Sequence, residues 1–569
     1  MVFLWCWCLK FILEAKGECD SQIYCSGSLL KKIQLSGIYG SKDFVDKPTI
    51  KPLDEVLAAA SLLPENSTND ELQDFISTYF GPEGQELILA NITNFNSTPS
   101  FLQKIKSPLL QEFAKHVHNY WPNLTRQVDL SFMCEGCVSS FIALNRTFVI
   151  PGGIFREIYY WDSYFIIEGL LVSELYDIAK NMILNLLDLV EIYANGSRIY
   201  YLNRSQPPLL VQMVKIYYQA TNDTALLYDA FPILIKEYNF WRKNNSIRIV
   251  SPESKKLYTL NRYIVNNNAP RPEGYLDDFN IVELNNTLNS TAREELYADL
   301  AAGAESGWDF SSRWVKELFK NSSTDDNNYE ILRTLNTDAI IPVDLNSILY
   351  MNEITLSEFS EKIGEEKMIN TFKNAAKKRL EGITDLFWDE ELELFMDYNI
   401  SNFITNSTTI LDTFSYITNL LSKYPGSPPI TLINSGLQWD FPNSWPPLNY
   451  VLIKGLINFH NYDDNDSESE IKEFIMNLTK NLSQRYVDSV LCTWYSTGGS
   501  IPGYLNKLSG VKDTGHIFEK YNTLDLSLPG GGGGYDVQVG FGWTNGVLLW
   551  IFSNFGDILK EPECLSDLT

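Results

Sequence analysis

From about residue 150 onward the chain repeats one pattern: apolar-periodic segments of helical length, separated by loops rich in Gly, Pro, Asn and aromatic residues. Apolar side chains recurring every three to four positions mark one face of an α-helix, and Gly and Pro punctuate the series. The spacing predicts helices over Ser163–Tyr176, Pro208–Gln219, Ala225–Trp241, Ala292–Ala304, Ser311–Phe319, Leu345–Lys362, Lys367–Asp385, Leu411–Leu421, Leu448–Asn461, Ile471–Trp494 and Thr544–Phe555. β-Type runs such as Arg198–Leu202 are rare. Upstream, residues 50–130 read as helical hairpins joined by loops, and residues 18–50 as an N-terminal arm. No clear linker interrupts the pattern. It predicts an all-α fold with a single domain over 51–560, a tail over 561–569, and function in the loops between helices.

The first residues, MVFLWCWCLKFILEAKGECD, read as a short secretory signal over 1–17, although a basic n-region is missing. N-x-S/T acceptors are frequent, at Asn66, Asn91, Asn96, Asn123, Asn145, Asn222, Asn285, Asn289, Asn321, Asn406, Asn477 and Asn481 among others. Cys6 and Cys8 leave with the signal. Cys19, Cys25, Cys134, Cys137, Cys492 and Cys564 remain, an even set that allows pairing in an oxidising compartment. Cys19–Cys25 is the preferred bridge. Cys134-x-x-Cys137 has no second CxxC to complete a metal site, and His116, His118, His460 and His516 are scattered, so structural disulfides and no metal are expected. No other segment is apolar enough to span a bilayer, and the C-terminal EPECLSDLT lacks the hydrophobic tail of a lipid-anchor signal. The expectation is a soluble, secreted, extracellular protein. A net charge of −26 argues against nucleic acid or anionic lipid as partner.

The loops share one mixture of side chains. Pro151–Leu171 places Arg156, Glu157, Trp161 and Asp162 among tyrosines. Asn195–Pro208 carries Arg198, Arg204 and Gln206, Asn268–Tyr275 carries Arg271 and Glu273, and Glu305–Trp314 carries Trp308, Asp309 and Arg313. Gln438–Pro447 adds Trp439, Asp440, Asn443 and Trp445, Phe518–Asn522 adds Glu519, and Gly530–Gly546 is a flexible run ending in Trp543. Aromatic faces stack on sugar CH faces, while carboxylates, amides and guanidinium groups bond hydroxyls. Together the loops point to a carbohydrate pocket.

No Ser-His-Asp or Cys-His arrangement can be assembled, and the glycine run lacks the Lys-Ser/Thr of a phosphate loop. Carboxylates remain, and glycoside hydrolysis needs two. Asp309, between Trp308 and Phe310, suits the proton-holding role, because aromatic burial raises a carboxyl pKa. Arg313 would oppose that shift if it pointed inward. Glu519, far along the chain, suits a partner arriving from the opposite wall.

At this point the motifs carry a resemblance. PGG-x-FRE-x-YYWDSY at 151–164 and QWD-x-PN-x-W at 438–445 resemble the two signatures of trehalases, glycoside hydrolase family 37. ESGWDFSSRW, FEKY, the glycine-rich loop and GFGWTNG look like further blocks, in the same order over about residues 50–555. The start CDSQIYCSGSLL resembles the mature end of animal, especially insect-type, secreted members.

The resemblance implies an (α/α)6 toroid and hydrolysis of α,α-trehalose to two glucose molecules, with inversion and without a cofactor. It implies Asp309 as general acid and Glu519 as general base. It implies sugar-binding roles for Trp161, Asp162, Asn195, Arg204, Ser205, Gln206, Arg271, Glu273 and Gly307, with Trp439, Asp440 and Trp543 lining the pocket.

The chain also departs from the family pattern. Ile154 stands where the family carries a sugar-binding Arg, Gly534 where it carries a Glu, and Val539 where an Asp precedes GFGW. Ser444 and Pro446 likewise differ from the usual PNGWAP. Losing charge-assisted hydrogen bonds of about 1.5–3 kcal/mol each would weaken the enzyme. Two alternatives therefore stay open at this stage: a sugar-binding protein of this fold with weakened catalysis, or an inverting α-glucosidase of shifted specificity.

Overall fold

The computed structural model describes residues 19–190, 196–284, 288–316, 325–390, 394–400, 410–462, 469–533 and 535–567. The signal expected over 1–17, Asn195, Gly534 and the acceptors Asn285, Asn321 and Asn406 lie outside the described residues.

The expected (α/α)6 toroid forms, with helices in two concentric layers. The layers follow from sequence. Helix Gly542–Phe555 is buried at nearly every position, as an inner helix that is apolar all round must be. Helix Glu366–Leu386 buries only a stripe containing Phe372, Ala376, Arg379, Gly382, Ile383 and Leu386. That spacing leaves one face for water, as suits an outer helix. Ring closure brings Gly542–Phe555 against Asp162–Val172. Their backbones touch where two glycines meet: a Cβ on Gly169 would sit 2.4 Å from the Gly546 Cα. No side chain fits there.

Most predicted helices appear with their ends shifted by a few residues, including Pro446–Tyr462, Ser469–Ser496 and Gly542–Phe555. Several expectations need correction. Ser163–Tyr176 is not one helix: Asp162–Val172 ends before Glu174, which has φ +61°, and a second helix runs from Tyr176 to Val190. The described part of the expected helix Ser311–Phe319, residues 311–316, is not α-helical. Its start is a 3-10 turn over Ser312–Trp314, followed by a bridge from Val315 to Leu335. The Ser311 and Ser312 hydroxyls are drawn to Asp440, and Arg313 to Asp344 and Asp397, so tertiary partners override the helical period. Arg198–Leu202 contains a 3-10 turn at Ile199–Tyr201, with Arg198 alone bridging Phe141.

Residues 50–130 do contain the helices Leu53–Ser61, Asn69–Tyr79 and Pro108–His118. They also contain two strands, Leu87–Leu89 and Thr125–Val128, which join Phe148–Val149 in a small antiparallel sheet. A hairpin, Ser246–Val250 with Leu257–Asn261, was not expected from the sequence. Disulfides join Cys19 to Cys25, Cys134 to Cys137 and Cys492 to Cys564. The CxxC pair is thus a clip within one loop. The Cys492–Cys564 bridge ties the C-terminal segment to the Ser469–Ser496 helix.

The N-terminal segment packs firmly. Helices Ser28–Ser36 and Ser41–Val45 bury Ile33, Phe44 and Val45 against Tyr159, Tyr200 and Tyr201. This carries Gly40–Asp43 to the rim of the central cavity.

Candidate active site

Interhelical loops enclose a cavity of about 670 Å³, within the size range of small-molecule sites. Trp161, Asp162, Arg204, Gln206, Arg271, Glu273, Gly307, Asp309 and Glu519 all line it, although they are spread over most of the chain. One wall is aromatic. Trp439 stacks on Trp445 at 3.8 Å between centroids and 3° between planes, and Trp308 lies parallel to Trp439 at 5.4 Å. Trp161 and Trp543 extend this surface.

Asp309 hangs from the end of helix Ser290–Ser306. The helix stops because Gly307 takes φ +78°, and a Cβ there would meet the Trp161 ring at 2.8 Å. Gly307 therefore shapes the wall by what it lacks. Asp440, expected to line the pocket, instead lies fully buried behind the Asp309 turn. Its carboxylate accepts from Ser311 Oγ at 2.8 Å, the Ser312 amide at 2.8 Å, Ser312 Oγ at 2.9 Å, Thr431 Oγ1 at 3.0 Å and Ser435 Oγ. It is a clamp, because all of its neighbours are donors. Arg313 points away from Asp309, into a double carboxylate pairing with Asp344 and Asp397.

Asp309 is half-buried, and its carboxyl is pushed up to about 6. Burial is the main cause, Arg271 opposes it, and the Glu273 and Glu519 charges add to it. Arg271 is itself held by a bidentate pair with Asp278, at 2.9 and 2.7 Å, so only part of its field is left for Asp309. Asp162 is raised well above the usual carboxylate range, by burial and then by the nearby Glu519 and Asp309 charges. Glu519 is also raised by burial, against the opposing pull of Lys520 and the Tyr535 hydroxyl.

Glu519 is positioned from three sides. Its amide donates to the Gln538 carbonyl at 3.0 Å, and its own carbonyl accepts from Trp543 Nε1 at 2.9 Å. Tyr535 donates its hydroxyl to Oε1 at 2.8 Å. The second oxygen, Oε2, is buried without a hydrogen-bond partner. Glu273 Oε2 and Arg204 Nε are likewise unpartnered, although the two side chains are joined to each other. Buried polar atoms normally have partners, so these atoms on cavity-lining residues keep unused hydrogen-bonding capacity.

Two of the expected sugar-binding positions stand apart. Ser205 does not line the cavity: its amide donates to Glu305 Oε1 at 3.2 Å, behind the wall. Asn195 lies outside the described residues. Several lining residues escaped the sequence reading, among them Lys42, Tyr159, Tyr201, Tyr535 and Gln538. Ile154 does line the cavity, and Gln538 reaches its amide at 3.0 Å through Oε1.

A family model described as trehalase matches residues 38–419 and 403–556. This chain belongs to the trehalase family. It is 38% identical to a trehalase of Dictyostelium discoideum, over 96% of this chain and 92% of that protein. It is 35% identical to trehalases of Oryctolagus cuniculus and Homo sapiens, over 96% of this chain and 94% and 93% of theirs. Like other trehalases, it is a glycoside hydrolase. From the two trehalase signatures, Trp161, Asp162, Gln438, Trp439 and Trp445 thus line one cavity with Asp309 and Glu519, while Glu157 and Asp440 brace it from behind.

Proposed function

We propose that this cavity hydrolyses α,α-trehalose to two glucose molecules by single displacement with inversion, with Asp309 as general acid and Glu519 as general base. One observation carries the assignment: a carboxyl held near 6 and a second carboxylate with an unpartnered oxygen face the same enclosed space. Asp309 gives its proton to the glycosidic oxygen as that C–O bond breaks. Water donates a proton to Glu519 Oε2 and attacks the anomeric carbon from the opposite face. Asp309 ends ionised and Glu519 protonated, and solvent exchange restores both. Trp161, Trp439 and Trp543 supply stacking surface, and Asp162, Arg204, Gln206, Arg271 and Glu273 meet the hydroxyls.

The test is glucose release from trehalose, with the anomers recorded by NMR as they form. Inversion gives one α- and one β-glucose per turnover. Two α-glucoses would sink the single-displacement scheme, and absence of release would sink the activity itself.

The proposal extends to an exported, soluble, glycosylated protein. Asn66, Asn91, Asn96, Asn123, Asn145, Asn222, Asn289, Asn477 and Asn481 are all exposed, as glycan acceptors must be. Asn203 is half-buried and bonded to Arg204 and Asn267, which fits a glycan poorly. Expression in a secretory host should give a product in the medium that shifts on endoglycosidase treatment. Retention inside the cell without a shift would overturn this part.

A further inference from the structure

Lys520 stands out among the buried cations around the cavity. It is fully buried, yet it does not line the cavity. Its Nζ donates to Gln438 Oε1 at 2.9 Å and to the Gly532 carbonyl at 3.3 Å, and lies 3.8 Å from Glu519 Oε2. The same Gln438 amide donates through Nε2 to the Asp309 carbonyl. The Lys520 backbone carbonyl takes the Gly530 amide at 2.9 Å, and the ammonium lies 4.8 Å from the Trp445 ring centroid. One side chain thus joins the loop carrying Glu519, the glycine-rich loop and, through Gln438, the turn carrying Asp309.

A salt bridge made only for stability would approach its carboxylate to hydrogen-bond distance. Here the ammonium stops short of Glu519 and gives its hydrogen bonds to an amide and a backbone carbonyl, leaving Oε2 without a hydrogen-bond partner. A buried cation at this range favours the ionised form of its neighbour without occupying the oxygen that must take a proton.

We propose that Lys520 is a positioning residue for the hydrolytic pair: it locks the acid and base loops in register through Gln438 and holds Glu519 ionised in its buried setting. The inference rests on the acid and base assignment made above. The charged and titratable groups around the pair are Lys520, Tyr535, Asp162 and Asp309 toward Glu519, and Arg271, Glu273 and Glu519 toward Asp309. Lys520 itself feels Glu519 and Asp309, so its removal takes a favourable charge from both carboxylates. Both carboxyl pKa values then rise, and both limbs of the pH–rate profile move to higher pH.

The experiment compares wild type with Lys520→Met, Lys520→Arg and Gln438→Leu, measuring kcat and KM on trehalose across the acid-to-neutral range. Lys520→Met should lower kcat by about 100-fold or more, as loss of reacting-group alignment does, and move the acidic limb upward. Lys520→Arg should keep the limb in place and recover part of kcat. Gln438→Leu should lower kcat with the limb unmoved, because the charge remains. A Lys520→Met profile superimposable on wild type would overturn the inference. So would a rise in KM alone in both uncharged variants. If the Met variant does not fold, wild-type kcat in Gln438→Leu overturns the register, and a displaced limb in Lys520→Arg overturns the charge. A wild-type chain inert toward trehalose refutes the underlying assignment, a distinct outcome.

Discussion

Two groups of buried charge sit side by side, one beneath the N-terminal segment and one around the cavity. Beneath the segment, Arg198 lies 3.4 Å from Asp46 and 3.3 Å from Glu86, and Lys42 lies 2.6 Å from Glu157. Tyr200 donates to Asp46 at 2.6 Å. Burial alone would raise the Asp46 carboxyl, but Arg198, Lys42 and the Tyr200 bond together bring it below its usual value. Around the cavity, Asp162, Asp309 and Glu519 have too little positive charge nearby, and all three are raised. In the first group every carboxylate has a cation within 3.4 Å, although Asp46 Oδ2, Glu86 Oε2 and Glu157 Oε2 accept no hydrogen bond. In the second, burial outweighs the cations nearby, and all three carboxyls face the cavity. Charge pairing distinguishes scaffold from site here more clearly than burial does.

Variants can break this contrast, and the largest effect belongs to the cavity. Asp309→Asn and Glu519→Gln should each lower kcat by about 10²–10⁴-fold, the usual contribution of a positioned acid or base, while calorimetry still registers trehalose binding. Loss of binding with unchanged turnover would place these carboxylates outside the chemistry.

Next comes the scaffold. Arg198→Met leaves Asp46 and Glu86 buried without their main cation and should cost about 3–5 kcal/mol in chemical denaturation. A loss under about 1 kcal/mol would mean that the cluster is not held together by mutual pairing.

The pH dependence of stability should then have opposite signs in the two regions. Asp309 has a raised folded pKa. Its carboxyl therefore costs nothing below the unfolded value near 3.9, and destabilises progressively as pH rises toward about 6. Asp309→Asn should raise neutral-pH stability by about 1–2 kcal/mol, allowing for the water that reaches its cavity side, and change little in acid. Asp46 has a lowered pKa. It stabilises above the unfolded value, and that contribution is lost as pH falls through the folded one. Asp46→Asn should therefore destabilise at neutral pH and converge on wild type in acid. Melting curves at two pH values read both signs.

The smallest effect serves as a control. Thr68 caps helix Asn69–Tyr79 in a reciprocal box with Glu71, exposed and distant in sequence from either group. Thr68→Ala should cost about 1 kcal/mol and leave kcat and KM unchanged. A kinetic effect there would show that activity follows global stability, which would weaken every contrast above.

Much of this was legible in the chain because it is local. The 3.6-residue period marked the long helices, while the layered toroid came from the family resemblance of the loop motifs. The signature loops named Asp309 and Glu519 as a pair, and aromatic neighbours announced the raised Asp309. The misreadings occurred where distant partners decide. Asp440 looks like a pocket residue until Ser311, Ser312, Thr431 and Ser435 converge on it. Residues 311–316 keep a helical pattern that Asp344, Asp397 and Asp440 override.

The sequence by itself determined the all-α class and the family, and offered Asp309 and Glu519 as the candidate pair, since each is written in periodicity or in short contiguous motifs. Only the tertiary structure decided which charges are paired. Lys42 and Glu157 are 115 positions apart, and Gln438 and Lys520 are 82 apart. Whether a buried carboxylate becomes scaffold or chemistry depends on the cation that packs beside it, and no local pattern encodes that neighbour.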